Sequence, residues 1–417
     1  MLFFFELYYR LRAGFGKRVM NFIIDFYLSF LDSRYKELRR ARRDRDLVTG
    51  AELLNELSND YSGNRTEARY LSIIASDLGS TEMAQTFSTD YFSSFISTDI
   101  SLFLDSARHY ITPILGNVDV EYFYAGGNEN IGSVLCKTKE QGDLGFGKII
   151  STEGAASREI FFYNTFLKKH PFFSRIIPEF YGVYKKKSDG VAIIFMSALR
   201  KEGLAQKRIG KSVISINSIV ESISYSDAKD IFSKVPLDYS KPFGRLFHLR
   251  LGCEYAMSEV QRGFSKHPSV EIVDILSAFE MIFLHSHAYS LVDVEDHYSF
   301  CHNDFHWRNM YFENGVCRVF DWSTFSIGLR GWDMATYFSD CEFTFEEIFD
   351  LYISYRFDLS YRKDQIGSMF FCFALVLNIA RRHRGGCESK VESYFKPALF
   401  FIEDMYKRIN GEDVLCK

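Results

Sequence analysis

The stretch Phe300-Cys-His-Asn-Asp-Phe-His-Trp-Arg-Asn-Met-Tyr-Phe-Glu-Asn-Gly-Val-Cys-Arg-Val-Phe-Asp-Trp322 leaves the chain few choices of local structure. Two short apolar-rich runs, Met310–Phe312 and Val316–Phe320, flank Glu313-Asn314-Gly315, and Asn-Gly between such runs specifies a β-hairpin. Antiparallel pairing keeps the sum of opposed residue numbers constant. A two-residue loop at Asn314-Gly315 sets Asn309 opposite Phe320, and a three-residue loop centred on Gly315 sets it opposite Asp321. In either register Asn309 and Asp321 end side by side at the open end of the hairpin, with His302 and Asp304 on the loop leading in. One amide, two carboxylates and a histidine converge without any long-range assumption.

That donor set has a chemistry. A hard divalent cation such as Mg²⁺ takes oxygen ligands, a few from protein and the rest from water and phosphate. Asn309 and Asp321 meet that need as metal ligands, and Asp304 is then placed to accept or orient the proton of an attacking hydroxyl. Kinase phosphoryl transfer divides its labour in the same way.

The spacing His302-Asn-Asp304-x-x-x-x-Asn309, followed by Phe320-Asp321-Trp322, resembles the Brenner motif of the aminoglycoside phosphotransferase and choline/ethanolamine kinase superfamily. Leu329-Arg-Gly-Trp-Asp333-Met-Ala-Thr-Tyr-Phe338 resembles the Arg-Gly-Phe-Asp segment that follows the metal aspartate in choline/ethanolamine kinases. Protein kinases more often carry His-Arg-Asp, Asp-Phe-Gly and Ala-Pro-Glu. The resemblance is tight over residues 300–338 and loose over the rest of the chain from Val118 onward. It implies a bilobal, protein-kinase-like α+β fold with a five-stranded antiparallel N-lobe sheet and a helical C-lobe. It also implies ATP and Mg²⁺ as cofactors and a small-molecule hydroxyl acceptor. The catalytic set is then Asp304 as base with His302 and Asn309, His302 bracing the loop and Asp333 supporting it from below.

Residues 1–112 read as a helical N-terminal extension, 113–198 as the N-lobe and 199–417 as the C-lobe. Met1–Leu31 interleaves aromatic and basic residues, and its charges interrupt every apolar run before membrane-spanning length. Such an amphipathic helix is expected to pack on its own domain; peripheral contact with an anionic membrane is the alternative. Lys36–Asp46 mixes both signs densely, as a solvated helix face does. Asp46-Leu47…Glu52 and Asp77-Leu78…Glu82 suggest a weak helical-hairpin repeat of about thirty residues.

From Val118 the period changes to strands: Val118–Ala125, Ile131–Lys139 and Gly145–Ile150, then Ile177–Gly182 and Val191–Met196. Gly126 and Gly127 sit in the first turn, where free backbone N–H groups suit a phosphate cover; a ligand-free turn explains them equally well. Lys148 in the third strand pairs with Glu159 on the following helix, aiming the ammonium at nucleotide phosphates. Lys137 and Lys139 are its rivals, because Gly145-Phe-Gly147 replaces the branched residues the resembled family places before its lysine. The segment around Met196 and Ser197 resembles the hinge that binds adenine through backbone. Lys185–Lys187 with Asp189-Gly190 reads as a solvated turn.

In the rest of the chain, Val270–His287 is a helix with one apolar face, and its His285 and His287 read as helix-end residues. Met369–Ala380 is too short to span a membrane and reads as a buried helix. All three tryptophans, 307, 322 and 332, fall in the motif region, where packing on the loop is the first expectation and a cation-binding acceptor pocket the second.

A net charge of −4 over 417 residues gives nucleic acid no electrostatic footing, so no nucleic-acid partner is expected. Eight scattered cysteines without a Cys-x-x-Cys pair point to reduced thiols and a cytoplasmic setting, with membrane-peripheral attachment through residues 1–31 as a variant. The expected activity is ATP- and Mg²⁺-dependent phosphate transfer to a hydroxyl of an amino alcohol, aminoglycoside or sugar-like acceptor. A nucleotide-binding scaffold without transfer, or a protein kinase, is the alternative. For the acceptor, Asp340, Glu342, Glu346 and Glu347 suit a cation, and Arg381, Arg382, His383 and Arg384 suit a phosphate or lipid head group.

Overall fold

The structure is a computed structural model that describes residues 32–61, 63–123, 130–138, 142–153, 157–186, 188–198, 206–232, 270–286, 288–313, 316–355, 361–382 and 390–410. Met1–Leu31 with its membrane contact, Gly126, Gly127, Lys139, His287, His383 and Arg384 lie outside the described residues. The chain divides into two compact units, one of the described residues within 1–169 and 178–199, the other of those within 170–177, 200–237 and 241–417.

The first unit opens with five helices: α1 (Ser33–Asp44), α2 (Leu47–Asn59), α3 (Arg65–Asp77), α4 (Thr81–Ser93) and α5 (Ile100–Leu115). Aspartates start three of them. Asp32 accepts the Arg34 N–H at 2.9 Å, Asp46 the Thr49 N–H at 3.1 Å and Asp99 the Ser101 N–H at 2.7 Å, each answering a donor that the helix leaves open. Apolar residues at helical spacing, among them Leu38, Leu53, Leu54, Leu57, Leu71 and Ile74, bury together as one core. Lys36, Glu37, Arg39 and Arg40 stay exposed on the other side of α1, as the solvated-face reading expects. The suspected repeat does not superpose: Asp46 caps the start of α2, whereas Asp77 closes the end of α3.

Next comes a sheet of β1 (Asp119–Phe123), β2 (Asn130–Thr138), β3 (Gly142–Ser151), β4 (Phe180–Lys185) and β5 (Val191–Ser197). Its order is β1-β2-β3-β5-β4 and every pairing is antiparallel. One face is covered by α4 and α5. Phe92, Phe103, Ala107 and Ile111 from the helices bury with Val134, Ile149, Ile193 and Phe195 from the strands. This packing explains the glycines before Lys148. A Cβ on Gly147 would clash with Val134 and lie 2.6 Å from Ile193, and one on Gly145 would lie 2.9 Å from Leu115 of α5. The β4–β5 turn is solvated only in part: Lys185 and Ser188 are exposed as expected, but Asp189 is not. Asp189 is 4 % exposed and accepts the Ser97 N–H at 3.1 Å and its hydroxyl at 2.7 Å, while Gly190 N–H donates to Phe95 O at 3.0 Å. The helical region and the sheet are stitched together there. After β3, α6 (Ser157–Phe161) runs into a π turn at Phe162–Phe166 and a last turn at Leu167–Lys169.

The second unit is largely helical: α7 (Gln206–Glu221), α8 (Tyr225–Phe232), α9 (Val270–Glu280), α10 (Trp332–Phe338), α11 (Phe345–Tyr355), α12 (Tyr361–Arg382) and α13 (Lys396–Asn410). Residues 366–380 of α12 are buried on every side, so this is the central helix of the unit. No helix among the described residues is long and apolar enough to cross a membrane. Between α9 and α10 stand two small ladders, β6 (Tyr298–Cys301) with β9 (Ser326–Leu329), and β7 (Met310–Glu313) with β8 (Val316–Val319). A five-stranded antiparallel sheet, an N-terminal helical region and a helical C-terminal part are the elements of the kinase-like α+β fold read from the sequence.

Candidate active site

The hairpin takes the two-residue register. Met310 pairs with Val319 and Glu313 with Val316, and one step beyond the ladder Phe320 donates its N–H to Asn309 O at 3.0 Å. The β6–β9 ladder, Tyr298 on Leu329 through Cys301 on Ser326, folds the next stretch of chain back beside the loop at 302–304.

His302 and Asp333 hold that loop. The Asp333 carboxylate is fully buried and accepts the backbone N–H of His302 at 2.6 Å and of Asn303 at 2.9 Å. Burial pushes its pKa up to about 7, with the two N–H bonds pulling the other way. The His302 ring is fully buried, with Nε2 3.0 Å from Phe320 O and Nδ1 accepting the Asp304 N–H at 3.2 Å. Those partners make Nε2 the protonated nitrogen of a neutral imidazole, and burial lowers its pKa to about 4. Thr324 adds a bond from its hydroxyl to His302 O at 2.8 Å.

Asp304 and Asn309 meet directly. The Asn309 Nδ2 donates to Asp304 O at 2.9 Å and lies 3.3 Å from its Oδ2. This orients the buried amide so that its oxygen is the end turned away from Asp304. Asp321 stands where the hairpin ends, in a left-handed conformation (φ 63°, ψ 59°), and accepts the Ser323 hydroxyl at 3.0 Å. Only three non-glycine residues among those described have positive φ, and two of them, Asn303 and Asp321, are in this site. Asparagine and aspartate enter this region more readily than other non-glycine residues, and backbone conformations of this kind cluster at functional sites. Among the described residues no cluster of three or more His, Cys, Asp or Glu could hold a metal ion. The donors available are one oriented amide oxygen and one carboxylate, which fit Mg²⁺ completed by water and phosphate oxygens.

In the first unit, Lys148 Nζ lies 2.7 Å from Glu159 Oε2, their side chains 12 % and 1 % exposed. Its rival Lys137 pairs across the strand with Glu121 at 2.8 Å on a more exposed surface. Met196 is buried on β5 opposite Phe146, and Ser197 N–H donates to Glu179 O at 2.8 Å. Trp322 and Trp332 are buried; Trp322 packs 4.5 Å from the His302 ring and donates Nε1–H to Val319 O at 3.1 Å, as the packing expectation holds. Trp307 is 38 % exposed. Of the acidic cluster, Glu347 forms a capping box with Thr344 at the start of α11, accepting its N–H at 2.9 Å. His285 lies 3.7 Å from Glu280, at the helix end where it was expected.

The sequence reading passed over several residues. Thr324 and Ser323 gave no signal beyond being hydroxyls near the motif. Asn303 gave a usable one, because asparagine is enriched at positive φ. Glu221, 1 % exposed, accepts the Gly331 N–H and so anchors the turn ahead of Asp333. His306 lies in the loop itself and touches Asp304, with Nε2 3.5 Å from Oδ2.

No family model and no curated protein sequence matches the chain. Solved structures similar to it are protein-kinase-like small-molecule kinases. A choline kinase from Cryptosporidium parvum Iowa II is 14 % identical over 76 % of this chain and 98 % of that one, at a TM-score of 0.42. The aminoglycoside phosphotransferase APH(2")-IIIa in its GDP and kanamycin complex is 11 % identical over 73 % and 99 %, at 0.45. An amicoumacin kinase in complex with AMP-PNP, Ca²⁺ and the ligand Ami is 11 % identical over 76 % and 94 %, at 0.39.

Proposed function

We propose that the protein is an ATP- and Mg²⁺-dependent phosphotransferase acting on a hydroxyl of a small molecule. One observation carries this: an aspartate and an asparagine five residues apart are bonded to each other on a loop braced by a buried histidine and a buried aspartate, and Phe320, whose N–H donates to Asn309 O, leads directly into a second aspartate in a left-handed conformation. Asp304 takes the acceptor's proton as the hydroxyl oxygen forms its bond to the γ-phosphorus. The bond from that phosphorus to the β,γ-bridging oxygen breaks, and its electron pair leaves with ADP. Asn309 and Asp321 would hold Mg²⁺, which when bound neutralises charge on the phosphates. Lys148, held by Glu159, binds the phosphates, and the backbone around Met196 and Ser197 receives the base. The five described cysteines are buried free thiols, which supports a reducing, cytoplasmic setting.

An ADP-release screen with choline, ethanolamine, aminoglycosides and sugars tests the proposal. Asp304→Asn should lower kcat by about 10²–10⁴-fold, the range lost with a general base, and leave nucleotide binding intact. Unchanged turnover in that variant defeats the assignment. Nucleotide-dependent thermal stabilisation with no transfer to any acceptor would favour a scaffold instead.

A further inference from the structure

His306 is the group beside Asp304 that the reaction as written does not use. It precedes the short 3₁₀ segment Trp307–Asn309 and caps it, with Nδ1 accepting the Arg308 N–H at 3.2 Å. A ring whose Nδ1 accepts, when neutral, carries its proton on Nε2. That nitrogen lies 3.5 Å from Asp304 Oδ2, the oxygen that Asn309 Nδ2 approaches at 3.3 Å. The His306 side chain is 19 % exposed, and the Asp304 side chain is 45 % exposed. A general base must meet its proton in a narrow range of orientations. A separation of 3.5 Å is long for a hydrogen bond, and hydrogen bonds to a general base are often long in a substrate-free structure.

We propose that His306 is a positioning residue for Asp304: the turn fixes one ring nitrogen, and the other delivers an N–H that, with Asn309, sets the carboxylate's orientation as the acceptor binds. This rests on Asp304 being the base. It assigns His306 two separable tasks, capping and orienting, and the variants follow from that. His306→Asn keeps a capping oxygen and loses the reach to Asp304. His306→Gln restores the reach.

The test measures ADP release from Mg-ATP with water as acceptor, and with choline, ethanolamine and kanamycin. Relative to wild type, His306→Asn should lose about 10–100-fold in kcat, the scale of a slight misplacement of a reacting group, with the KM for ATP and the thermal midpoint unchanged. His306→Gln should recover most of the loss. Wild-type kcat in His306→Asn overturns the proposal, as does a loss that His306→Gln fails to recover. Asp304→Asn, run alongside, separates the failures. If it keeps full turnover, the site assignment itself falls; if it is inactive while His306→Asn is not, only the role of His306 falls. A readout independent of turnover comes from ring-¹⁵N spectra of the full chain, with His306 assigned by its absence in His306→Asn. The Nε2–H tautomer and an Nε2 resonance displaced by Asp304→Asn are expected. An Nδ1–H tautomer, or an Nε2 signal indifferent to that change, overturns the proposal.

Discussion

Lys148–Glu159 and the loop at 302–309 serve one proposed reaction and are built by opposite means. The first is two charged side chains, one on a strand and one on a helix, meeting at 2.7 Å in a nearly dry place. Its geometry depends on β3 lying in register between β2 and β5, with Ser133 and Ile194 flanking Lys148. The second is anchored largely through backbone. Asp333 takes two N–H groups, His302 takes a third and lies against a carbonyl, and Thr324 and Asn309 each reach a carbonyl of the loop. A buried charge pair fails when either partner is removed, whereas a loop tied at several backbone points loses one tie at a time.

That contrast predicts the largest effect at the pair. Glu159→Ala should cost about 3–5 kcal/mol in urea unfolding, the penalty for removing one side of a buried ion pair. Lys148→Met with Glu159→Leu should recover most of that stability, because apolar side chains of similar volume replace the pair, yet nucleotide binding should stay lost. If the double variant is as unstable as Glu159→Ala, the region owes its stability to more than this pair, and the contrast weakens.

Asp333→Ala is the corresponding blow to the loop. One buried and one half-buried N–H group lose their acceptor, at about 1–3 kcal/mol each, offset by relief of a carboxylate that burial disfavours, so about 2–4 kcal/mol is expected. The pH dependence sharpens this. The pKa of His302 falls from 6.5 to about 4 in the fold, so stability is lost as pH drops through that window. That of Asp333 rises from 3.8 to about 7, so its contribution is fully present at low pH and is lost as pH climbs through that range. Between pH 4 and 6.5 the two slopes oppose each other. Asp333→Asn should therefore uncover the slope of His302, with stability falling toward pH 4; a flat profile would mean that His302 is not the buried neutral ring described.

The loop was legible in the sequence because its construction is local. Asn314-Gly315 specifies a turn, the turn fixes the register, and the register delivers Asn309 opposite Phe320 by counting. The five strands were legible in outline from short β-branched and aromatic runs between turns, although the fourth runs Phe180–Lys185 and not Ile177–Gly182 as expected. Lys148 was ambiguous, and the reason lies far off in the chain. Gly147 is required because Val134, Ile193 and Phe195 fill the face that α4 and α5 cover, and no local pattern announces which face a distant helix will take. Asp189 was misread for the same reason, since Ser97, 92 residues earlier, removes it from water. Gly147→Ala tests this directly. The added methyl must displace packed side chains, and overpacking of that kind costs about 1–3 kcal/mol in thermal or urea unfolding. A neutral result would show that the covered face yields more easily than its contacts suggest.

The smallest effect belongs to Thr324→Val. It removes one hydroxyl, and with it the 2.8 Å bond to His302 O, while keeping the shape of a buried side chain. A single such bond is worth about 1 kcal/mol net. Because Asp333 and the His302 ring still tie the same residue, kcat should fall less than in His306→Asn, whose missing N–H would have met the base itself. If Thr324→Val instead abolishes turnover at a stability loss of that size, the loop is not held redundantly. The difference drawn between an all-or-nothing charge pair and a multiply tied loop would then have to be given up.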